Sequence, residues 1–149
     1  MPYKFEGLQV WKLALDYIDL VYELAERLPT SENFNLKSQI KRAATSVALN
    51  IAEGSTGQTD PEQARFLGLA LRSLIETVAC QHLIRRRGFD EVADLLEKAY
   101  SESEILARKL QAMRRSISPA DWRVGEPLVD YDSAAPSSTD DGAPDEASD

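Results

Sequence analysis

The sequence predicts an all-α protein: an antiparallel up-down-up-down four-helix bundle followed by a disordered acidic C-terminal tail. Four segments of roughly 20–28 residues repeat apolar residues at the helical period of about 3.6. Short polar connections separate these segments, which favours antiparallel neighbours. No segment alternates apolar and polar residues as a half-buried strand does. We expect the bundle to occupy residues 1–118 and the tail residues 119–149.

The first predicted helix runs from about Phe5 to Leu28, before Pro29, and carries two apolar rows. The row that we expect in the core contains Leu8, Trp11, Leu15, Ile18, Tyr22 and Ala25. The second row, on another side of the helix, contains Leu13, Tyr17, Leu20 and Leu24. One small core does not bury both rows.

The second predicted helix combines an apolar stripe with a polar ridge and ends at Gly54, expected as a left-handed cap. The apolar stripe contains Leu36, Ile40, Ala43, Ala44, Val47 and Ile51. The polar ridge, at three- and four-residue spacing, contains Gln39, Arg42, Ser46, Asn50 and Glu53. A carboxylate in the last turn opposes the helix dipole, so we expect a partner for Glu53. The ridge is either a solvated edge with a basic partner or a buried polar seam that fixes the register of helices or subunits.

The third predicted helix starts with Asp60 as cap, Pro61 at the first position and Gln63 as capping-box residue, and ends near Arg87. Its expected core face contains Phe66, Leu69, Ala70, Ser73, Thr77, Cys80 and Ile84, and a second apolar row contains Leu67, Leu71, Leu74 and Val78. Arg72 and Glu76, four residues apart, are expected to pair and to join the polar seam.

The fourth predicted helix runs from Asp90, as cap, to about Ile117, and it carries one apolar stripe opposite a charged side. The first and third helices are therefore the two that are apolar on two sides. We interpret their second rows as an oligomer interface, made by Leu13, Tyr17, Leu20, Leu24, Leu67, Leu71, Leu74 and Val78. The alternative is that these two helices are the most enclosed elements of a single bundle.

The net charge of −8 belongs to the tail. From Ala120 onward the chain has nine acidic residues and one basic residue, so the remainder has 16 of each. From Ser133 only small, polar and acidic residues follow, which bury too little apolar surface to offset the entropy of ordering. The apolar residues between Trp122 and Tyr131 either dock on the bundle or a neighbour, or stay undocked.

The arrangements of residues that catalysis or metal binding requires are not found in the sequence, which has one histidine and one cysteine. The only histidine, His82, points away from the expected core face, and the only cysteine, Cys80, lies on it as a small apolar packer. No Glu-x-x-His pair, metal-ligand spacing or phosphate-binding glycine loop occurs. We expect no catalytic or metal site, no cofactor and no small-molecule substrate. The composition fits a reducing cytoplasm, and neither a signal peptide nor a membrane span is expected.

Basic residues gather at one end of the predicted bundle. In the antiparallel arrangement, the ends of helices one and three adjoin the starts of helices two and four. The candidate phosphate-binding residues are Arg27, Lys37, Lys41, Arg85, Arg86 and Arg87. These cations either bind phosphates or only complement helix dipoles, because acidic residues at the same end neutralise much of their charge.

Several spaced motifs are similar to those of a known family. They are Phe5-x-x-Leu8-x-Val10-Trp11, Leu28-Pro29, Glu32-x-Phe34-x-Leu36-x-x-Gln39, Arg42-Ala43-Ala44-x-Ser46-Val47-x-x-Asn50-Ile51-Ala52-Glu53-Gly54 and Ser73-Leu74-x-Glu76. The chain resembles the four-helix-bundle family named after the 23S ribosomal RNA intervening sequence, and also the accessory proteins of diversity-generating retroelements. The resemblance covers about Tyr3 to Ile117, and Asn50–Gly54 is its most specific part.

The resemblance implies an antiparallel four-helix bundle that assembles as a homopentameric ring. In the retroelement branch it also implies a basic surface that binds RNA and a reverse transcriptase. Ala48 stands where a proline is usual and Arg72 where a glycine is usual, and this body is neutral where that branch is basic. Two functions are therefore expected: a non-enzymatic homopentameric scaffold, or a nucleic-acid-binding accessory protein with a regulatory acidic tail.

Overall fold

The computed structural model describes residues 2–56 and 59–118 of the 149-residue chain. This part contains four α-helices: α1 (Gln9–Glu26), α2 (Leu36–Gly54), α3 (Asp60–Arg87) and α4 (Ala93–Ile117). Short 3-10 turns precede α1, α2 and α4, at Lys4–Gly7, Thr30–Glu32 and Asp90–Val92. Residues 2–56 and 59–118 form no strand, so the all-α prediction is confirmed. The predicted tail lies outside the described residues.

The helices pack in a closed cycle in which each one contacts the next along the chain and α4 returns to α1. Side-chain bonds show that neighbours run in opposite directions. Lys41 near the start of α2 pairs with Glu26 at the end of α1, with 2.6 Å between Nζ and Oε1. The Nε of Arg114, near the end of α4, donates to the carbonyl of Ala64 near the start of α3, at 3.1 Å. The fold is the expected up-down-up-down bundle.

The helix ends differ from the predicted ends by a few residues. The first three predicted residues of helix one belong to the 3-10 turn Lys4–Gly7, and α1 begins at Gln9. Asp90 likewise begins a 3-10 turn rather than capping α4. At the start of α3 the N-cap position is Thr59, and no side chain caps the first turn, so the cap predicted at Asp60 is wrong. The helix α2 runs without a break through Ala48.

Gly54 is the last residue of α2, and the prediction that it adopts a left-handed conformation is wrong. Among the described residues only Gly88 has a positive φ, of 74°. A Cβ atom added to Gly54 would lie 2.8 Å from the Cβ of Phe66 in α3, closer than two carbon atoms approach. The glycine is therefore required because the end of α2 packs directly against the first turns of α3.

In α1 the row predicted at an interface is mostly buried in the core, whereas only Ala25 of the predicted core row is fully buried. Tyr17, Leu20 and Leu24, from the row assigned to an interface, are buried, whereas Leu15 and Tyr22, from the row assigned to the core, are each 41% exposed. The buried arc of α1 also includes the small residues Ala14, Val21 and Ala25, which lie beside the Tyr17 row. Small side chains let neighbouring helices approach closely, which favours burial of this side.

In α3 both predicted rows contribute to the core. The buried residues of the predicted core face are Ala70, Thr77, Cys80 and Ile84. Leu67, Leu71 and Leu74 are buried, whereas Phe66 and Leu69 from the predicted core face are only partly buried. Leu13 and Val78 are half-buried. The oligomer-interface prediction is therefore wrong for the six side chains that the single chain already buries in its core, namely Tyr17, Leu20, Leu24, Leu67, Leu71 and Leu74.

One helix in the described ranges, α3, is long and apolar enough by length and composition alone to cross a membrane. Ten of its residues are buried against the rest of the bundle. A core helix of a bundle meets the same criteria.

We expect Gly54→Ala to lower the free energy of unfolding by about 1–3 kcal/mol, because the new methyl group overlaps Phe66. The matched control is Gly7→Ala, where an added Cβ meets nothing within 4 Å. The measurement is urea denaturation of both variants beside the wild type. Equal denaturation midpoints for the two variants would show that the α2–α3 contact is looser than described.

Candidate interaction surfaces

The inner part of the polar ridge on α2 bonds to α3 within one chain. The Oγ atoms of Ser46 and Ser73 lie 2.8 Å apart. The Nδ2 of Asn50 donates to the carbonyl of Ser46 at 2.9 Å and to its Oγ at 3.1 Å. Ser73 was predicted only as a core residue, yet it is the partner that joins the two helices. Its position between Arg72 and Glu76, which were assigned to the seam, is the signal that could have identified it.

The outer part of the ridge is charged and exposed. Arg42, Glu53, Arg72 and Glu76 are exposed, and none of them forms an ion pair with the residues that the structure describes. The pair expected between Arg72 and Glu76 is absent, and Glu53 has no basic partner. Gln39 is also exposed and donates to Oδ1 of Asn35 at 3.3 Å. Because Glu53 is exposed, water screens its unfavourable interaction with the helix dipole. Of the predicted seam residues, only Ser46 and Asn50 are partly buried.

A buried polar chain that sequence reasoning missed crosses the bundle from α3 to α1. The Nε2 of Gln81 donates to the hydroxyl of Tyr17 at 2.8 Å, and that hydroxyl lies 2.7 Å from Oγ1 of Thr77. Because the Thr77 hydroxyl donates to the carbonyl of Leu74, the Tyr17 hydroxyl is the donor to Thr77. Oε1 of Gln81 is buried without a partner in the part of the chain described. Leu74, Thr77 and Gln81 are three and four residues apart, so they lie on the same side of α3. This spacing could have predicted that Thr77 and Gln81 are buried with the apolar row.

A shallow groove of about 420 Å³ lies between α1 and α2. It is lined by Tyr22, Ser38, Lys41, Arg42, Thr45, Ser46 and Leu49. Tyr22 is 41% and Leu49 56% exposed, so two large apolar side chains meet solvent here. Nζ of Lys41 lies 5.0 Å from the centroid of the Tyr22 ring, and its hydrogen bond to Glu26 lowers the pKa of that carboxyl group. We call this surface the α1–α2 groove.

The predicted basic end is formed, but some of its cations are already paired. Arg27 pairs with Glu23 at 2.9 Å and Lys41 with Glu26 at 2.6 Å, both on the surface. Lys37 and the run Arg85 to Arg87 form no ion pair with other described residues. The candidate phosphate-binding set is therefore reduced to Lys37, Arg85, Arg86 and Arg87.

A second groove, between α1 and α4, is acidic. It has a volume of about 350 Å³ and is lined by Asp16, Asp19, Leu20, Glu23, Lys98 and Glu102. Within residues 2–56 and 59–118, no three His, Cys, Asp or Glu side chains are arranged to hold a metal ion. The acidic groove and the basic end give the neutral body two regions of opposite charge.

The two reactive residue types lie where they were predicted. His82 is exposed, and its ring meets that of Tyr100 edge-on, with 6.2 Å between the centroids. Cys80 is buried, and this burial, together with the negative charge of Glu76, raises the pKa of its thiol. A protonated, buried thiol is a poor nucleophile.

The family model of the 23S rRNA-intervening sequence proteins matches residues 6–112, which include α1, α2, α3 and most of α4. The chain belongs to this family. A search among curated proteins finds no match. In this member of the 23S rRNA-intervening sequence proteins, Asn50 and Gly54 make contacts within the bundle of a single chain. Asn50 bonds to Ser46, which contacts Ser73, and Gly54 admits Phe66.

We expect Tyr17→Phe to lower the free energy of unfolding at pH 8 by about 1–3 kcal/mol, because the buried amide of Gln81 loses its acceptor. Burial raises the pKa of Tyr17 from 10.0 to about 12. The unfolded chain therefore ionises first, and the wild type loses about 2–3 kcal/mol as the pH rises from 10 to 12. The difference in the free energy of unfolding between the wild type and Tyr17→Phe, measured by urea denaturation, should therefore decrease between pH 10 and pH 12.

The control for the tyrosine experiment is Tyr3→Phe, because Tyr3 is 65% exposed. Its free energy of unfolding should stay within about 0.5 kcal/mol of the wild type at every pH. A constant difference between wild type and Tyr17→Phe across pH 10 to 12 would contradict the burial of the hydroxyl.

Proposed function

We propose that this 23S rRNA-intervening sequence protein is a non-enzymatic homo-oligomeric scaffold of the cytoplasm. The observation that carries the proposal is the exposure of large apolar side chains on two faces of the bundle. Leu15, Tyr22 and Leu49 are 41–56% exposed beside the α1–α2 groove. Ile75 and Leu83 are 42% and 53% exposed on the outer side of α3.

Both α1 and α3 still carry exposed large apolar residues after the core is formed. A four-helix bundle covers one side of each helix, and α1 and α3 each have apolar residues on more than that side. Association would remove the remaining apolar surface from water, at about 25 cal/mol for each Å² buried. The exposed interface candidates are therefore Leu15, Tyr22, Leu49, Ile75 and Leu83.

The two faces differ in sequence and shape, which bears on the symmetry of the assembly. A contact between unlike faces is heterologous, and it closes into a ring when the rotation between neighbours allows. The family resemblance implies a pentamer, and a head-to-tail contact is the kind that a five-membered ring requires. We infer a cyclic homopentamer.

The solution mass of the purified chain, measured by light scattering, tests this function. We expect a mass near five times that of the 16.6 kDa chain. The same number of subunits is expected for the chain ending at Ile117, because the apolar faces lie on α1, α2 and α3. A monomer in both forms would refute the scaffold function.

We expect Leu49→Lys to reduce the oligomer to smaller species without changing the helical content. The substitution places a charge on an exposed apolar side chain beside Lys41 and Arg42, so it disfavours association and not folding. Ile105→Lys is the matched control, because Ile105 is 43% exposed on α4, away from both faces. Equal masses for the two variants would exclude the α1–α2 face from the interface.

A second candidate function is nucleic-acid binding, as an accessory to a reverse transcriptase, and the basic end is the observation that favours it. Lys37 and Arg85 to Arg87 lie at one end of the bundle with no ion pair among the described residues. Such cations release counterions when they contact phosphates, which makes affinity dependent on salt. The acidic tail is long enough to compete with RNA for these residues, by a reach of roughly 30 Å.

We expect replacing Arg85, Arg86 and Arg87 by Ser to weaken RNA binding and to reduce the slope of log affinity against log salt by about 2. The matched control replaces Arg108 and Lys109 at the other end of the bundle. Removing residues from Ser133 onward should tighten RNA binding at low salt. If replacing the arginines leaves RNA affinity unchanged, the basic end does not bind RNA. If truncation also leaves it unchanged, the tail does not regulate binding.

A further inference from the structure

Phe34 is the most exposed large apolar side chain in the described part of the bundle. It is 99% exposed, in the connection between the Thr30–Glu32 turn and the start of α2 at Leu36. A phenyl ring that contacts nothing in its own chain gains from burial in a partner, and aromatic rings serve as anchors in pockets at interfaces. The connection itself is ordered: Oε2 of Glu32 accepts from Nδ2 of Asn35 at 3.1 Å.

The α1–α2 groove has the complementary chemistry. Its apolar lining includes Tyr22 and Leu49, and its volume of about 420 Å³ exceeds that of a phenyl ring. Arg42 lines the groove, is exposed, and has no ion pair with described residues. Glu32 is the one charged residue among residues 30–35. Oε2 of Glu32 also accepts from the backbone N–H of Leu36 at 3.5 Å, which leaves Oε1 for a partner. An apolar ring beside a carboxylate therefore matches in chemistry an apolar groove beside a guanidinium.

A chain cannot place its own Phe34 in its own groove beside Leu49. Leu49 lies 13 residues after Leu36 on a continuous helix, which is about 20 Å at 1.5 Å per residue. We propose that Phe34 of one protomer inserts into the α1–α2 groove of the next copy, with Glu32 against Arg42. This proposal rests on the proposed homo-oligomer and assigns its head-to-tail contact.

A second copy of the chain fits Phe34 better than nucleic acid does. A base stacked on Phe34 would bring its phosphates near the carboxylate of Glu32, which repels them. The groove presents the guanidinium of Arg42 to an occupant, which suits a protein segment that carries a carboxylate. A contact between the two unlike surfaces leaves a free Phe34 at one end and a free groove at the other, so it propagates until a ring closes.

Disulfide trapping between two differently tagged chains tests the contact. One chain carries Phe34→Cys and the other Leu49→Cys, and both are co-expressed and mildly oxidised. A bridge requires the two Cα atoms to approach within about 7 Å, which one chain cannot achieve. We expect a cross-linked pair containing one chain of each tag. Phe34→Cys co-expressed with Ile105→Cys is the matched control and should remain uncross-linked, and the native Cys80 is buried.

The mass of Phe34→Ala provides the second measurement. Because Phe34 is 99% exposed in its own chain, the variant should keep the wild-type helical content. We expect the oligomer to be lost and the mass to fall to 16.6 kDa. Tyr3→Ala, which removes another exposed aromatic side chain, should retain the wild-type mass.

The outcomes separate this inference from the proposed function. A wild-type oligomer that persists in Phe34→Ala and gives no mixed disulfide overturns the Phe34 contact but leaves the scaffold intact. Cross-links only between two Phe34→Cys chains indicate a symmetric contact and also overturn it. An oligomer that persists while RNA affinity falls assigns Phe34 to nucleic acid instead. A monomeric wild type overturns both proposals.

Discussion

Four helices in a closed cycle cover only one side of each helix, and this constraint governs the whole molecule. In α2 and α4 most apolar residues lie on one side, although Leu49, Tyr100 and Ile105 are at least 40% exposed. In α1 and α3, apolar residues also lie on more than the covered side, so Leu15, Tyr22, Ile75 and Leu83 remain at the surface. The stability of the core and the exposure of the candidate interfaces follow from the same excess of apolar residues.

The polar chain of Tyr17, Thr77 and Gln81 specifies which row is buried. Rotating α1 to bury Leu15 and Tyr22 would carry the Tyr17 hydroxyl out of the core and leave the amide of Gln81 without an acceptor. An unsatisfied buried amide costs about 1–3 kcal/mol. Apolar area alone distinguishes the two rotations poorly, because both rows contain large side chains. The small residues Ala14 and Val21 add a packing preference in the same direction.

The fold was predictable from the sequence because helical periodicity, prolines and glycines act locally. The four helices, their order and their antiparallel arrangement are as predicted, with errors only at the ends, where 3-10 turns replace the first helical turn. The choice between the rows was not predictable, because Leu15 and Tyr17 occur in patterns with the same period. Gly54 was identified by position but for the wrong reason, since its contact with Phe66 depends on a helix that follows in the chain.

The candidate surfaces were predicted less well, because exposure depends on the packing of all four helices. Ser46 and Ser73 join α2 to α3 within one chain, Asn50 bonds to Ser46, and Gly54 packs against Phe66, so these residues of the family motif support the fold. Residues that could select a partner lie elsewhere, in the α1–α2 groove, at Phe34 and at the basic end. Because none of these surfaces is needed to close the core, members that share this bundle can change them without loss of the fold. Gly54 holds the end of α2 against α3, while the exposed Tyr22, Leu49 and Arg42 line the α1–α2 groove on another side of α2.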